Sequence, residues 1–283
     1  MIRFVNAKLN LGLNIVRRRE DGYHDLQTVF YPVGLHNGTP GNPEPFCDIL
    51  EITPASSTEF IFTGRRVDCP LEKNLVYKAW RIMKENYPQL ADFCIRLEKH
   101  LPDGAGLGGG SADATFVLRM LNDLSGNPFS DERLAEMALA LGADCPFFVY
   151  NTPCYAEGVG ERLSKVDLDL SGMWCALVKP NLSISTKEAF AGVRPAPASV
   201  HLGEILKMSV GQWQGVMKND FEESLFPNHP LLAEIKASLL ASGAVYAAMS
   251  GSGSTLFGLF SSREEAIDSI SCFTDCYTTV CLL

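Results

Sequence analysis

The chain has 283 residues, 46% hydrophobic and 20% charged, which is enough apolar material for a packed core and too much for a disordered chain. Its 33 acidic and 24 basic side chains leave a net charge of −9, which argues against broad attraction to nucleic acid or to an anionic membrane. No apolar run reaches 18 residues, the N-terminus lacks the apolar core of a signal peptide, and the nine scattered cysteines contain no C-x-x-C pair. The expectation is a cytoplasmic protein, monomeric or weakly dimeric, with reduced packing cysteines and no nucleic-acid or membrane partner. No metal is expected at Cys272, Cys276 and Cys281, because no histidine accompanies them.

Residues 2–15 and 24–34 read as strands joined by the charged turn Arg17-Arg-Arg-Glu-Asp-Gly22. Within the first strand Lys8 and Asn10 alternate with Ala7, Leu9 and Leu11, so both polar groups share one face. Such a face either meets polar partners or lies open to solvent, since burial without partners is costly. Residues 36–46, rich in Gly, Pro and Asn, read as a mobile loop. A strand at 47–53, a helix over about 74–86 and a strand at 92–99 follow.

That last strand feeds Leu101-Pro-Asp-Gly-Ala-Gly-Leu-Gly-Gly-Gly-Ser-Ala-Asp-Ala-Thr115. Gly104, Gly106, Gly108, Gly109 and Gly110 permit positive φ and close backbone approach, so several N–H groups can be aimed at one anion. The next helix, over 111–124 with Ser111 at its start, adds the positive end of its dipole. The ligand expected here is a nucleotide polyphosphate. The loop also satisfies G-x-G-x-x-G, but it lies mid-chain rather than in a leading βαβ unit, and no Gly-Lys-Ser/Thr marks it as a Walker A loop.

A helix at 131–141 starts at the N-cap Ser130 and stops at Gly142. Asp144 then lies between that helix and an apolar segment read as a strand, as either a turn-former or a functional acid. Beyond it come a strand at 174–179, helices near 186–191, 202–208, 212–218 and 230–242, and strands at 244–250 and 255–260. A helix at 263–271 and a strand at 276–282 complete the chain. Met249-Ser-Gly-Ser-Gly-Ser-Thr255 is a second glycine-rich turn, either a flexible hairpin or part of a site. The pattern is α+β with two domains and a boundary in the region 155–172.

In order and spacing, Lys8, the glycine loop, Asp144 and the Ser-Gly-Ser-Gly-Ser turn resemble the GHMP kinases. The likeness spans Lys8 to Phe257. It is greatest to the branch that phosphorylates a cytidine diphosphate derivative of methylerythritol in the non-mevalonate isoprenoid pathway. The carrying segments are Ala7-Lys-Leu-Asn-Leu11, Asp21-Gly-Tyr-His-Asp-Leu-Gln-Thr28, Gly106-Leu-Gly-Gly-Gly-Ser-Ala-Asp113, Leu141-Gly-Ala-Asp-Cys-Pro146 and Ala156-Glu-Gly-Val-Gly-Glu161. The resemblance implies an ATP-binding N-terminal α/β domain (1–160) with a left-handed βαβ crossover and a ferredoxin-like C-terminal domain (161–283). ATP and substrate would lie between them, and phosphate would pass with Mg²⁺ to the 2-hydroxyl of 4-diphosphocytidyl-2-C-methyl-D-erythritol.

The same resemblance assigns roles. Gly104, Ala105, Gly106, Leu107, Gly108, Gly109, Gly110 and Ser111 would surround the ATP phosphates, with Asn74 and Lys99 near the adenosine. Asp144 would take the proton of the attacking alcohol, and Lys8 would sit beside both Asp144 and that hydroxyl. Tyr23 and Phe190 would stack on cytosine while His24 bonds its edge; Asn10 and Thr186 would position the methylerythritol hydroxyls. No protein side chain is assigned to a metal. Thr115 replaces an alanine usual in the family, and Asp103, a carboxylate beside the phosphate loop, is expected to face solvent. Rival readings are another GHMP kinase acting on homoserine, mevalonate or a sugar, a non-catalytic nucleotide binder, and a nicotinamide enzyme.

Overall fold

The computed structural model describes residues 1–34, 46–66 and 69–283. The expected mobile loop at 36–46 therefore lies outside the described residues, apart from the buried Phe46. In chain order the elements are β1 (Ile2–Val5), β2 (Ala7–Arg18), β3 (His24–Val33), β4 (Asp48–Pro54), β5 (Glu59–Gly64), α1 (Leu75–Asn86) and β6 (Phe93–Lys99). Next come α2 (Gly109–Leu124), α3 (Asp131–Leu139), α4 (Cys145–Tyr150), β7 (Cys154–Glu157), β8 (Arg162–Lys165) and β9 (Trp174–Lys179). The remainder is α5 (Thr186–Ala191), α6 (Leu202–Ile205), α7 (Asp220–Leu225), α8 (Pro230–Ala241), β10 (Tyr246–Met249), β11 (Leu256–Phe260), α9 (Arg263–Ile270) and β12 (Tyr277–Leu282).

These elements form two compact units that interleave along the chain: Met1–Ala7, Pro45–Asp103 and Gly108–Thr152 in the first, Lys8–Glu44, Gly104–Leu107 and Pro153–Leu283 in the second. In the first unit the strand order is β1-β4-β6-β5, with β5 parallel to β6 and α1 between them in sequence. Alternation on β6 buries Phe93, Ile95, Leu97 and Lys99, and on β4 it buries Asp48, Leu50 and Ile52. Two charged residues thus enter the core through the strand period itself. Asn74 caps α1 by accepting from the Val76 N–H at 2.9 Å, and Ser130 caps α3 by accepting from Arg133 at 3.4 Å.

Several sequence expectations change in detail. The strand expected over 2–15 is two strands parted at Asn6, whose amide bonds the Ala7 carbonyl at 2.9 Å. Helix α2 starts at Gly109 after an αL Gly108, two residues before Ser111. The apolar segment after Asp144 is helix α4, not a strand. All of Cys145–Val149 is buried, so no periodicity separates strand from helix, while Pro146 in the first turn and αL Asn151 at the end favour the helix. The helix expected over 212–218 is reduced to a 3₁₀ turn at Val210–Gln212, with Gly215 at φ 85° beyond it.

The second unit holds two four-stranded sheets. One has the order β2-β3-β7-β8, with β3–β7 and β7–β8 paired antiparallel; the other has the order β10-β11-β9-β12, all antiparallel. Numbered by appearance the latter reads 2-3-1-4, with α8 before β10 and α9 before β12, which is the ferredoxin-like split βαβ arrangement expected. Its core joins Leu13 and Ile15 of β2 to Ala176, Val178, Met249, Leu256 and Phe260, with Leu232, Ile235 and Leu239 of α8 packed on them. Among the described residues no helix is long and apolar enough to cross a membrane. Ile235 is fully buried in this cluster. Its replacement by alanine should cost about 2–5 kcal/mol in urea unfolding, with an unchanged m-value. A loss below about 1 kcal/mol would contradict the packing described.

Candidate active site

Gly104, Gly106 and Gly108 have φ of 57°, 73° and 71°, a left-handed series that only glycine adopts without strain. A Cβ on Gly106 would run into the Ser250 carbonyl, so the two glycine-rich turns meet backbone to backbone within the second unit. Ser250 Oγ donates to the Gly106 carbonyl at 2.9 Å and accepts from the Asn10 N–H at 3.2 Å. Behind it Asn219 Nδ2 donates to the Met249 and Gly251 carbonyls, each at 2.8 Å, while its Oδ1 caps α7 by accepting from Phe221 at 3.0 Å. The Lys8 N–H donates to the Leu107 carbonyl at 3.0 Å. Gly104–Leu107 are therefore pinned from strand, turn and helix cap together.

In the first unit the loop passes into α2, whose first intrahelical bond runs from the Ala112 N–H to the Gly108 carbonyl at 2.8 Å. The N–H groups of Gly109, Gly110 and Ser111 precede it, as the unsatisfied donors of a helix N-terminus. Thr115 bonds back to the Ser111 carbonyl at 2.8 Å and to the Cys145 carbonyl at 3.0 Å, so its extra bulk is absorbed by ties between α2 and α4. Burial pushes the Cys145 thiol up to about 11, with Ser111 opposing the shift. That thiol is a packing group. Asp144 stands half-buried immediately before α4.

Lys8 and Asn10 are each 3% exposed, which decides between the two readings of their strand: the polar face is buried and partnered. Lys8 Nζ donates to Asn10 Oδ1, Asn10 Nδ2 donates to Thr28 Oγ1 at 3.0 Å, and Thr28 Oγ1 donates to the Gly12 carbonyl. The chain of bonds fixes the Asn10 amide orientation and leaves Lys8 aligned 4.8 Å from the Phe30 ring centroid. Lys8 lies in the second unit and Asp144 in the first.

Among the residues expected to hold a base, His24 stacks on Phe190 with centroids 4.6 Å apart and planes 19° apart, and Phe221 meets Phe190 edge-on at 4.9 Å. Tyr23 is 65% exposed, and Thr186 is exposed at the first turn of α5. Burial, with Arg18 as a lesser cause, lowers the His24 pKa from its usual 6.5. The structure thus brings His24 to the Phe190 face and leaves Tyr23 free of it.

Asn74, Lys99 and Gly110 come together around a cavity of about 170 Å³ in the first unit, with Leu75, Val76, Leu97 and Asp113 in its walls. Asp103 lies at its edge and is exposed, as expected for a carboxylate next to the loop. Lys99 Nζ is not turned to solvent: it bonds Asp48 Oδ2, and Asp113 Oδ2 at 2.8 Å. A larger cavity of about 500 Å³ in the second unit, bounded by Asn14, Arg194, Lys218 and Asp220, contains none of the expected site residues. Among the described residues no group of three or more His, Cys, Asp or Glu could hold a metal ion.

Residues 74–152 match the family described as GHMP kinases N terminal domain, and residues 202–276 match GHMP kinases C terminal. The chain is also 47% identical over 277 residues to the 4-diphosphocytidyl-2-C-methyl-D-erythritol kinase of Parabacteroides distasonis, covering 98% of this chain and 97% of that one. The chain belongs to the GHMP kinases. An enzyme of the same name from Porphyromonas gingivalis is 44% identical, covering 98% of this GHMP kinase and 97% of its own length. A crystal structure of 4-(cytidine 5'-diphospho)-2C-methyl-D-erythritol kinase superposes with a TM-score of 0.81 at 32% identity over all of both chains. Homoserine kinase from Cytophaga hutchinsonii shares the fold at a TM-score of 0.69 and 18% identity, covering 98% of this chain and 93% of its own.

Sequence reasoning singled out the turn that contains Ser250 but missed Thr28, Asp48 and Asn219, which hold these segments of the GHMP kinase in place. Asn219 carried a readable signal, an N-cap residue followed by the acidic first turn Asp220, Glu222 and Glu223. Asp48 carried one too, as an acid in register with Leu50 and Ile52. Thr28→Val removes the acceptor for Asn10 and the donor to Gly12, leaving buried polar groups unpaired at nearly constant volume. Its expected cost in denaturant unfolding is about 1–3 kcal/mol. Stability within about 0.5 kcal/mol of wild type would show that the Lys8–Asn10–Thr28 chain is not formed in solution.

Proposed function

We propose that this GHMP kinase transfers the terminal phosphoryl group of ATP to the 2-hydroxyl of 4-diphosphocytidyl-2-C-methyl-D-erythritol. The observation that carries the substrate is the 47% identity to an enzyme of that name across 98% of the chain. The His24–Phe190 stack supports it, since an imidazole lying on an aromatic face is a pairing suited to gripping a planar base. In this reading the matched segments, 74–152 and 202–276, belong to an ATP-binding part (1–160) and a C-terminal part (161–283).

Asp144 is the base that takes the alcohol proton, and Lys8 offsets the negative charge left on that oxygen. Asn10, held by Lys8 and Thr28, offers a fixed amide to the substrate hydroxyls, with Thr186 a second contact. Gly104 to Ser111 present backbone N–H groups to phosphate oxygens, donors that are already oriented before substrate arrives. The α2 N-terminus and the left-handed glycines fit a polyphosphate on chemistry alone. ATP supplies the transferred group when bound, and Mg²⁺ would accompany it to offset the phosphate charge. Asn74 and Lys99 belong to the adenosine end of this reading.

Cytosine would replace His24 on Phe190 and take Tyr23 on its other face, with the displaced imidazole reading the base edge. Stacking alone accepts any base, so this hydrogen bond sets the choice.

The test is ADP release with ATP, Mg²⁺ and the cytidyl substrate, beside homoserine and mevalonate. Turnover only with the cytidyl substrate is expected; turnover only with either alternative would replace this substrate assignment. Asp144→Asn should lower kcat by roughly 10²–10⁴ with ATP binding retained, and wild-type kcat in that variant would remove it as the base. Because the folded His24 pKa is lowered, its imidazole is neutral above 6.5 and gains a proton only below it. The KM for the cytidyl substrate should therefore rise as pH falls through that lowered pKa, and His24→Gln should flatten the rise. A variant profile identical to wild type would assign the pH dependence to another group.

A further inference from the structure

Asp48 lies outside every motif that carries the family likeness, yet it makes three hydrogen bonds from a site with no solvent exposure. Its Oδ1 accepts from the His100 N–H at 2.6 Å and the Leu101 N–H at 2.8 Å, and its Oδ2 accepts from Lys99 Nζ. Those amides belong to the two residues before Pro102, where the chain turns into the glycine loop. Lys99 spans the remaining distance by donating to Asp113 Oδ2 at 2.8 Å, and Asp113 belongs to the start of α2, where the loop ends. Both ends of the loop are therefore tied to one buried ion cluster within the first unit.

Packing supports the same arrangement. A Cβ placed on Gly109 would lie 3.5 Å from Leu101 Cβ and 3.5 Å from Lys99 Nζ, so the first residue of α2 rests directly against the entrance of the loop. Strand register contributes as well. The pairing Ile49↔Glu98 continues one step to place Asp48 opposite Lys99 at the end of the β4–β6 ladder. Burial disfavours the Lys99 ammonium, but Asp113 and Asp48 outweigh it and raise its pKa to about 12, so it stays charged. Burial pushes Asp113 upward, Lys99 pulls it back, and the Asp48 charge pushes it up again. Asp113 Oδ1 is buried without a hydrogen-bond partner.

We propose that Asp48 is a positioning residue for nucleotide binding: acting through Lys99 and the His100–Leu101 amides, it holds the entrance of the phosphate loop and the first turn of α2 at one fixed spacing. The inference rests on the nucleotide reading above and extends it to a residue with no contact to phosphate. The donors of a phosphate cradle act together only when their spacing matches the anion, so loosening one end weakens nucleotide binding before it alters proton transfer at Asp144.

The experiment compares wild type, Asp48→Ala and Asp48→Asn by ADP titration calorimetry and steady-state kinetics at a temperature where each is folded. In Asp48→Ala the ADP Kd and the KM for ATP should rise at least about tenfold, with kcat and the KM for the cytidyl substrate within about threefold of wild type. Asp48→Asn keeps an acceptor for the amides but not the charge facing Lys99, and should lie between. A role confined to stability would instead lower the active fraction, reducing kcat with both KM values and the ADP Kd unchanged, and that result overturns the proposal. If Asp48→Ala does not fold, amide exchange in Asp48→Asn decides: faster exchange at 100–101 and 109–113 than elsewhere in the first unit supports the clasp, and uniform exchange refutes it. Wild-type protein that binds no ADP would overturn the nucleotide reading and this inference with it, whereas wild-type-like binding in the variants overturns the inference alone.

Discussion

The carbonyl of Ser250 occupies the space that any side chain at residue 106 would need. This close approach of two glycine-rich turns orders much of what surrounds it. Because the backbones touch, small polar groups can bridge them: the Ser250 hydroxyl spans Gly106 and Asn10, and Asn219 holds the far side of the turn through two carbonyls. Ordering glycine costs conformational entropy, and here the left-handed backbone and the close approach require it. The contact is made of main chain, so side-chain repacking offers it little relief.

Elements with local signals were legible. Ser130 caps its helix as its position before an apolar-periodic segment suggests, and the βαββαβ order of the C-terminal half yields the ferredoxin-like sheet. Elements settled by tertiary context were not. The run Cys145–Val149 is apolar throughout, so its helical state came from Pro146 and Asn151 and not from periodicity. Strands β5 and β8 are short and partly exposed and β7 is buried but only four residues long; they exist because neighbouring strands supply their hydrogen bonds.

Within the candidate site, the residues that stood out in the sequence did so because their types are unusual for their places: two polar groups on a buried strand, five glycines before a helix. Residues that hold those groups did not stand out. Thr28 looks like any threonine in a strand, and Asp48 like any acid at a strand end, until the partner 51 residues away is known. Lys99 shows the limit from the other direction. Its position beside the glycine loop suggests a ligand contact, whereas its place in the alternation of β6 sends its ammonium into the core between two carboxylates.

The interleaving of the two units bears on the order in which a nascent chain can finish folding. Every segment of the first unit has been synthesised by Thr152. The strand carrying Lys8 and Asn10 is made at the very start, but the bond from the Asn10 amide to Ser250 closes a loop of 240 residues. That backbone N–H therefore waits for its partner through most of translation, and contacts of such high sequence separation form slowly. A message cut short after the first unit would encode all the residues of α2 and none of the turn that meets the loop before it. Anchoring of the strand that carries Lys8 and Asn10 to the second glycine-rich turn is tied to synthesis of residues beyond 250.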